Sequence, residues 1–177
     1  MIFVENKLLF IHIPRTGGVS ITNSLIKSFS HRELSHCLIC TNNSLVFKRH
    51  TPYKELQHIL NLDNVFKFAV YRDTEKIIKS DYKLHLRHNQ NLKNLNPNWR
   101  ESLKISQNES FEEFKQRRWV PWLKGEDAWS HWTSNNSDFY KVNFDNLQEE
   151  WPLLMDKLDL PESTPLMDLN SSKMKIF

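Results

Sequence analysis

Phe10-Ile11-His12-Ile13-Pro14-Arg15-Thr16-Gly17-Gly18-Val19-Ser20 is the stretch on which the reading of this chain turns. It begins inside Leu8–Ile13, an apolar run with little alternation, as expected of a buried parallel strand. It runs on into Val19–Phe29, where Val19, Thr22, Leu25, Ile26 and Phe29 recur at helical spacing. Between strand and helix stand Gly17 and Gly18, two of only three glycines in the chain. Glycine there permits positive φ and lets a ligand approach the backbone closely. The helix start offers unpaired N–H groups and the positive end of its dipole, which suits an anion. Arg15, Thr16 and Ser20 add a cation and two hydroxyls around the same point. The same residues also fit a plain strand-to-helix turn that needs glycine only for geometry. The stretch does not read G-x-x-x-x-G-K-[ST], so ATP hydrolysis with Mg²⁺ is the weaker proposal.

Working outward, Ile2–Val4 and Val65–Tyr71 are predicted strands, with short ones at Leu38–Ile39 and Leu45–Phe47. Thr51-Pro52 marks a helix start leading to Leu60, with Thr51 as N-cap and Pro52 in the first turn. A helix follows from Thr74 to His88, and the polar Asn89–Gln107 reads as an excursion. Ser110 and Glu113 form a capping box opening a helix through Arg118. Phe139–Phe144 is a late strand, and Pro152 sits in the first turn of a final helix, Trp151–Leu158. This alternation predicts an α/β fold, a parallel sheet with helices on both faces. No repeat or low-complexity linker divides the chain, so residues 1–177 are read as a single domain.

Composition bounds the function. With 39% apolar and 25% charged residues the chain is globular rather than disordered. Its 24 basic and 21 acidic residues leave a net charge of +3, which suits an anionic ligand without demanding nucleic acid. No run approaches the about 18 apolar residues of a membrane span. The N-terminal Met1–Lys7 has no signal-peptide pattern, so the expected location is the cytoplasm. His31, His36, Cys37 and Cys40 could supply four zinc ligands on paper. Their spacing matches no common zinc pattern, and the cysteines are read as reduced structural thiols with no metal.

The opening stretch resembles the 5′-phosphosulfate loop of the membrane-type carbohydrate sulfotransferase family, F-I-H-I-P-K-T-G-G-T-S. The chain would be a soluble, minimal member with a P-loop-NTPase-like sulfotransferase fold. The resemblance implies that Pro14, Arg15, Thr16, Gly17, Gly18, Val19 and Ser20 cradle the 5′-phosphosulfate of 3′-phosphoadenosine 5′-phosphosulfate. The family's lysine, which contacts the phosphosulfate and assists the leaving phosphate, is Arg15 here. Arginine keeps the charge but cannot readily give up a proton.

Val70-Tyr71-Arg72-Asp73 and the helix after it resemble the family's 3′-phosphate motif, V-R-D-P-x-x-R-x-x-S-x-Y. Arg72, Ser80 and Tyr82 match its arginine, serine and aromatic; Thr74 replaces its proline. Lys76, Lys79, Lys83 and Arg87 are read as a solvated basic face. His50 resembles the family's histidine that deprotonates the acceptor hydroxyl, a role suited to an imidazole. His12 is the second choice and is otherwise a packed or hydrogen-bonded strand residue. Ser110–Phe114, Phe139–Leu147, Trp151–Pro161 and Pro165–Ser171 resemble later family segments, so the likeness spans nearly the whole chain. Five of the six tryptophans lie between Trp99 and Trp132. Most are read as core, with one or two at an acceptor cleft.

The expectation is therefore a sulfotransferase, with Arg15 and His50 catalytic and a carbohydrate hydroxyl as acceptor. The rivals are a non-catalytic nucleotide- or glycan-binding relative, an ATP phosphotransferase, and a nucleic-acid module resting on residues 99–132.

Overall fold

The computed structural model describes residues 1–29, 37–39, 50–87, 97–161 and 165–166, with the backbone alone at 37–39 and 97–99. The expected strand Leu45–Phe47 and His31, His36 and Cys40 lie outside them. Two compact units divide the chain: Met1–Arg72 with Trp129–Phe177, and the inserted Asp73–Ala128.

The first unit is built on a five-stranded sheet in the order β3-β1-β2-β4-β5. Its strands are β1 (Ile2–Val4), β2 (Leu8–Ile11), β3 (Cys37–Ile39), β4 (Phe66–Tyr71) and β5 (Phe139–Asn143). The α/β class holds, but the sheet is mixed rather than wholly parallel. β2, β4 and β5 run parallel, whereas β1 is antiparallel to both β2 and β3. The reason is local. Only Glu5–Lys7 separates β1 from β2, with Asn6 at φ 56 and the Lys7 N–H on the Val4 carbonyl at 3.1 Å. So short a turn can only make a hairpin; a parallel return needs a crossover of a dozen residues or more.

Strand alternation gives the sheet two apolar faces. On one, Ile2, Val4, Leu8, Phe10, Phe68, Val70 and Val142 pack against α1 (Gly18–Ser28) and α8 (Leu147–Lys157). Ile21 and Leu25 come from α1; Trp151, Leu154 and Met155 come from α8. Phe10 stacks on Phe68 at 4.8 Å, and each such fully buried side chain contributes about 1.5–3 kcal/mol. On the opposite face, Phe139 meets Tyr53 of α2 (Tyr53–Leu56) at 5.2 Å and Trp129 of α7 (Ala128–Thr133) at 6.4 Å. Helices thus cover both faces, as the alternation predicts.

Two helices in this unit depart from expectation. α2 is a single turn capped by Pro52 in extended conformation, not a helix from Thr51 to Leu60. α8 begins at Leu147, so Pro152 lies inside it rather than in its first turn. Phe144–Asn146 form a 3-10 turn that starts the helix early. Pro152 is tolerated because it and Gln148, whose carbonyl loses a partner, are both exposed.

The second unit holds α3 (Thr74–Arg87), α4 (Pro97–Ser106), α5 (Phe111–Phe114) and α6 (Val120–Leu123). α4 occupies part of the stretch read as an excursion. Its sequence is polar, yet Leu103 and Ser106 are fully buried, and tertiary packing overrides weak propensity. Ser110 and Glu113 form the expected capping box. The helix passes Arg118 through a π-helical stretch, Lys115–Trp119, into α6, where Pro121 supplies no N–H. Buried Asp81 accepts from Arg118 Nε at 2.9 Å and Trp119 Nε1 at 3.1 Å. The unit's two ends meet: the Ala128 N–H donates to Thr74 Oγ1 at 2.9 Å. Among the described residues no helix is long and apolar enough to cross a membrane.

Candidate functional site

The loop from β2 to α1 leaves the carboxyl end of a parallel strand, where ligands of open α/β sheets bind. Its two glycines answer different demands. Gly17 caps α1 at φ 77 and ψ 9, a left-handed conformation that a side chain resists. Gly18 is held by space: a Cβ there would stand 2.0 Å from Cδ2 of His12. Arg15 is left-handed as well, at φ 61, without being glycine. That conformation costs an L-residue about 1–2 kcal/mol, so other contacts must hold it.

One such contact comes from β4. Arg72, the residue after Tyr71, donates from Nη1 to the Arg15 carbonyl at 2.7 Å. Its guanidinium lies 4.2 Å over the Phe144 ring, and its buried Nε has no hydrogen-bond partner among the described residues. Burial pulls Arg72 below the usual arginine value, Asp145 opposes that, and the charge of Arg15 adds to it. Of the two charges that reach Arg72, the carboxylate of Asp145 acts more strongly than Arg15. A helix start with two arginines beside it is suited to an anion.

The remaining loop residues divide between lining and bracing. Pro14 and Ser20 are buried, and Val19 is exposed. Thr16 is fully buried and donates from Oγ1 to the Ile13 carbonyl at 2.8 Å. Its hydroxyl hydrogen is therefore spent on the loop itself, unlike the ligand donor the sequence suggests.

His12 and His50 lie side by side, their rings edge-on at 4.6 Å. His12, just past the end of β2, is buried and covers Gly18. His50 is half-buried, and its Nδ1 lies 2.7 Å from the His12 carbonyl oxygen. A carbonyl can only accept, so Nδ1 carries the hydrogen and the neutral ring keeps its basic lone pair on Nε2. Trp132 Nε1 donates to the His50 carbonyl at 3.3 Å, anchoring the backbone as well.

Arg15, Gly17, Gly18, His12, His50 and Arg72 all belong to the first unit; Ser80 lies half-buried on α3 in the second. Of the tryptophans, Trp119, Trp132 and Trp151 are buried, while Trp122 and Trp129 are half-exposed. Sequence reasoning missed the part played by Phe144, which touches Arg72 and stands 3.5 Å from where a Gly17 Cβ would be. The available signal was an aromatic at the carboxyl end of the expected strand Phe139–Phe144; the strand in fact stops at Asn143.

A second grouping in the inserted unit has the residue types of a nucleophilic triad: Ser106, His85 and Asp81. Ser106 Oγ donates to the Ser102 carbonyl at 2.7 Å, so it accepts from His85 Nδ1 at 3.0 Å. A histidine that donates to the serine cannot take its proton, and Ser106 is fully buried. The grouping is a structural network. Compared with known proteins, the chain matches no family model, no curated protein and no solved structure.

Proposed function

We propose that this chain binds 3′-phosphoadenosine 5′-phosphosulfate and moves its sulfuryl group to a hydroxyl, most simply that of a carbohydrate. The proposed frame is a P-loop-NTPase-like sulfotransferase fold. The observation that carries the reading is the loop after β2: two left-handed residues, a helix start, and the guanidinium of Arg72 held on the Arg15 carbonyl. The motif likeness of Phe10–Ser20 supplies the identity of the anion.

In the reaction, the acceptor oxygen attacks sulfur in line while the bond from sulfur to the bridging oxygen breaks. Adenosine 3′,5′-bisphosphate leaves with that oxygen. Arg15 neutralises the charge developing there, in keeping with its place in the loop. His50 receives the acceptor's proton at Nε2, the nitrogen its contact with His12 leaves basic. The rest of the rate enhancement is positioning, and the scheme requires no metal.

A thermal-shift comparison of adenosine 3′,5′-bisphosphate, AMP and ATP tests the binding half. The bisphosphate should stabilise most, by about 2.7 kcal/mol at one hundred times its dissociation constant. ATP stabilising more, and only with Mg²⁺, would overturn it. Sulfuryl transfer from the donor tests the catalytic half. Binding without turnover would identify a non-catalytic relative, the reading that arginine in place of lysine favours.

A further inference from the structure

We infer that Arg72 is a positioning residue that latches the β2–α1 loop from β4, by holding Arg15 in its left-handed conformation. The inference does not depend on sulfuryl transfer, since it concerns the loop before any ligand arrives.

Three observations carry it. Arg15 is the only residue of the loop other than Gly17 with a positive φ, at 61° against 77°. Only glycine adopts such a backbone without cost. The Arg15 carbonyl is the group that Arg72 Nη1 reaches at 2.7 Å, a charge-assisted bond to the peptide whose orientation that φ helps set. Because the peptide is trans, fixing its carbonyl toward Arg72 turns the Thr16 N–H the opposite way. Thr16 is pinned in addition by its hydroxyl on Ile13.

The latch is itself fixed. Phe144, on the turn after β5, lies under the Arg72 guanidinium and faces the side of Gly17 where a Cβ would stand. The ends of β2, β4 and β5 therefore brace one another through Arg15, Arg72 and Phe144. Arg72 differs in this from an arginine that waits in solvent for a phosphate. Its removal should loosen the loop even with nothing bound.

Hydrogen exchange on the ligand-free protein reads this directly. In Arg72→Ala, the amides that close the first turn of α1, foremost Ile21 on the Gly17 carbonyl, should exchange at least about tenfold faster, the loss expected for one hydrogen bond to a charged group. Amides of α8 should stay at the parent rate. Adding Arg15→Gly, which adopts positive φ freely, should restore much of the protection. Arg72→Lys, which keeps a donor, should fall between parent and alanine.

Unchanged exchange at Ile21 in Arg72→Ala would overturn the inference. So would an equal rise across α8, which marks general destabilisation, or a double variant no slower than Arg72→Ala. A protein that binds no nucleotide at all would defeat the sulfotransferase reading and leave these exchange results standing.

Discussion

A methyl group on Gly18 has nowhere to go while His12 covers it, its Cβ falling 2.0 Å from the imidazole. Gly18→Ala should therefore cost about 1–3 kcal/mol in urea unfolding, as overpacked sites do. His12→Ala should relieve much of that cost in the double variant, a coupling that residues out of contact would not display. Fully additive losses would mean that the two do not share this space. Arg15 permits a sharper test of chemistry. Under the proposed reaction, Arg15→Lys should retain sulfuryl transfer or raise it, because lysine can give up a proton that arginine holds. Arg15→Ala should abolish transfer, and transfer at the parent's rate would remove the loop from the mechanism. The glycine pair was legible in the sequence as a loop that needs both. That one glycine serves φ and the other serves His12 was not, because the ring's direction depends on where the strand ends.

Among the elements, the helix opened by Ser110 is the one whose start the sequence specifies most fully. Ser110→Ala should lower stability by about 1 kcal/mol, the usual cost of a lost cap. The Glu113 carboxylate is held below its ordinary range, first by the Ser110 N–H and then by its hydroxyl. Stability from a depressed carboxylate is complete above the unfolded value and is lost as pH falls through the folded one. Thermal unfolding of parent and Glu113→Gln should thus differ near neutral pH and converge in acid. Pro152 is the opposite case, a residue the helix tolerates. Pro152→Ala should raise stability by about 1–2 kcal/mol, because the helix gains an N–H while the unfolded chain gains freedom. A drop would assign Pro152 a packing role. The late helix was misplaced for this reason: proline is a good guide to first turns only when the preceding residues do not already form one. α4 was missed because Leu103 is one of few apolar residues in a polar run, and its burial depends on neighbours no window contains. The parallel core was legible from the unalternating apolar run of β2 and from the succession of strands and helices, since β5 itself alternates, with Lys141 and Asn143 exposed. The antiparallel edge was written in the three-residue turn and not in the strands themselves.

For the molecule as a whole, the division into two units predicts where damage spreads. Asp81→Ala leaves the Arg118 and Trp119 donors without their acceptor in the second unit. Arg118 can turn to water, so the main cost is the buried Trp119 N–H left unsatisfied, about 1–3 kcal/mol. Hydrogen exchange should record that loss first in α3 and α6, with β2 and β4 still protected; equal losses everywhere would mean the units unfold as one. The hydrogen bond from Ala128 to Thr74 carries a consequence for the order of folding. β5 must pair with β4 although the whole of Asp73–Ala128 lies between them. Closing that span in an unfolded chain is an entropic cost that grows with its length. Once the inserted unit has formed, its ends are already side by side, and the effective span shrinks to Arg72 and residues 129–138. Variants that weaken the insert should then slow refolding of the sheet even though they touch none of its strands, and the delay should appear in the folding limb of the chevron.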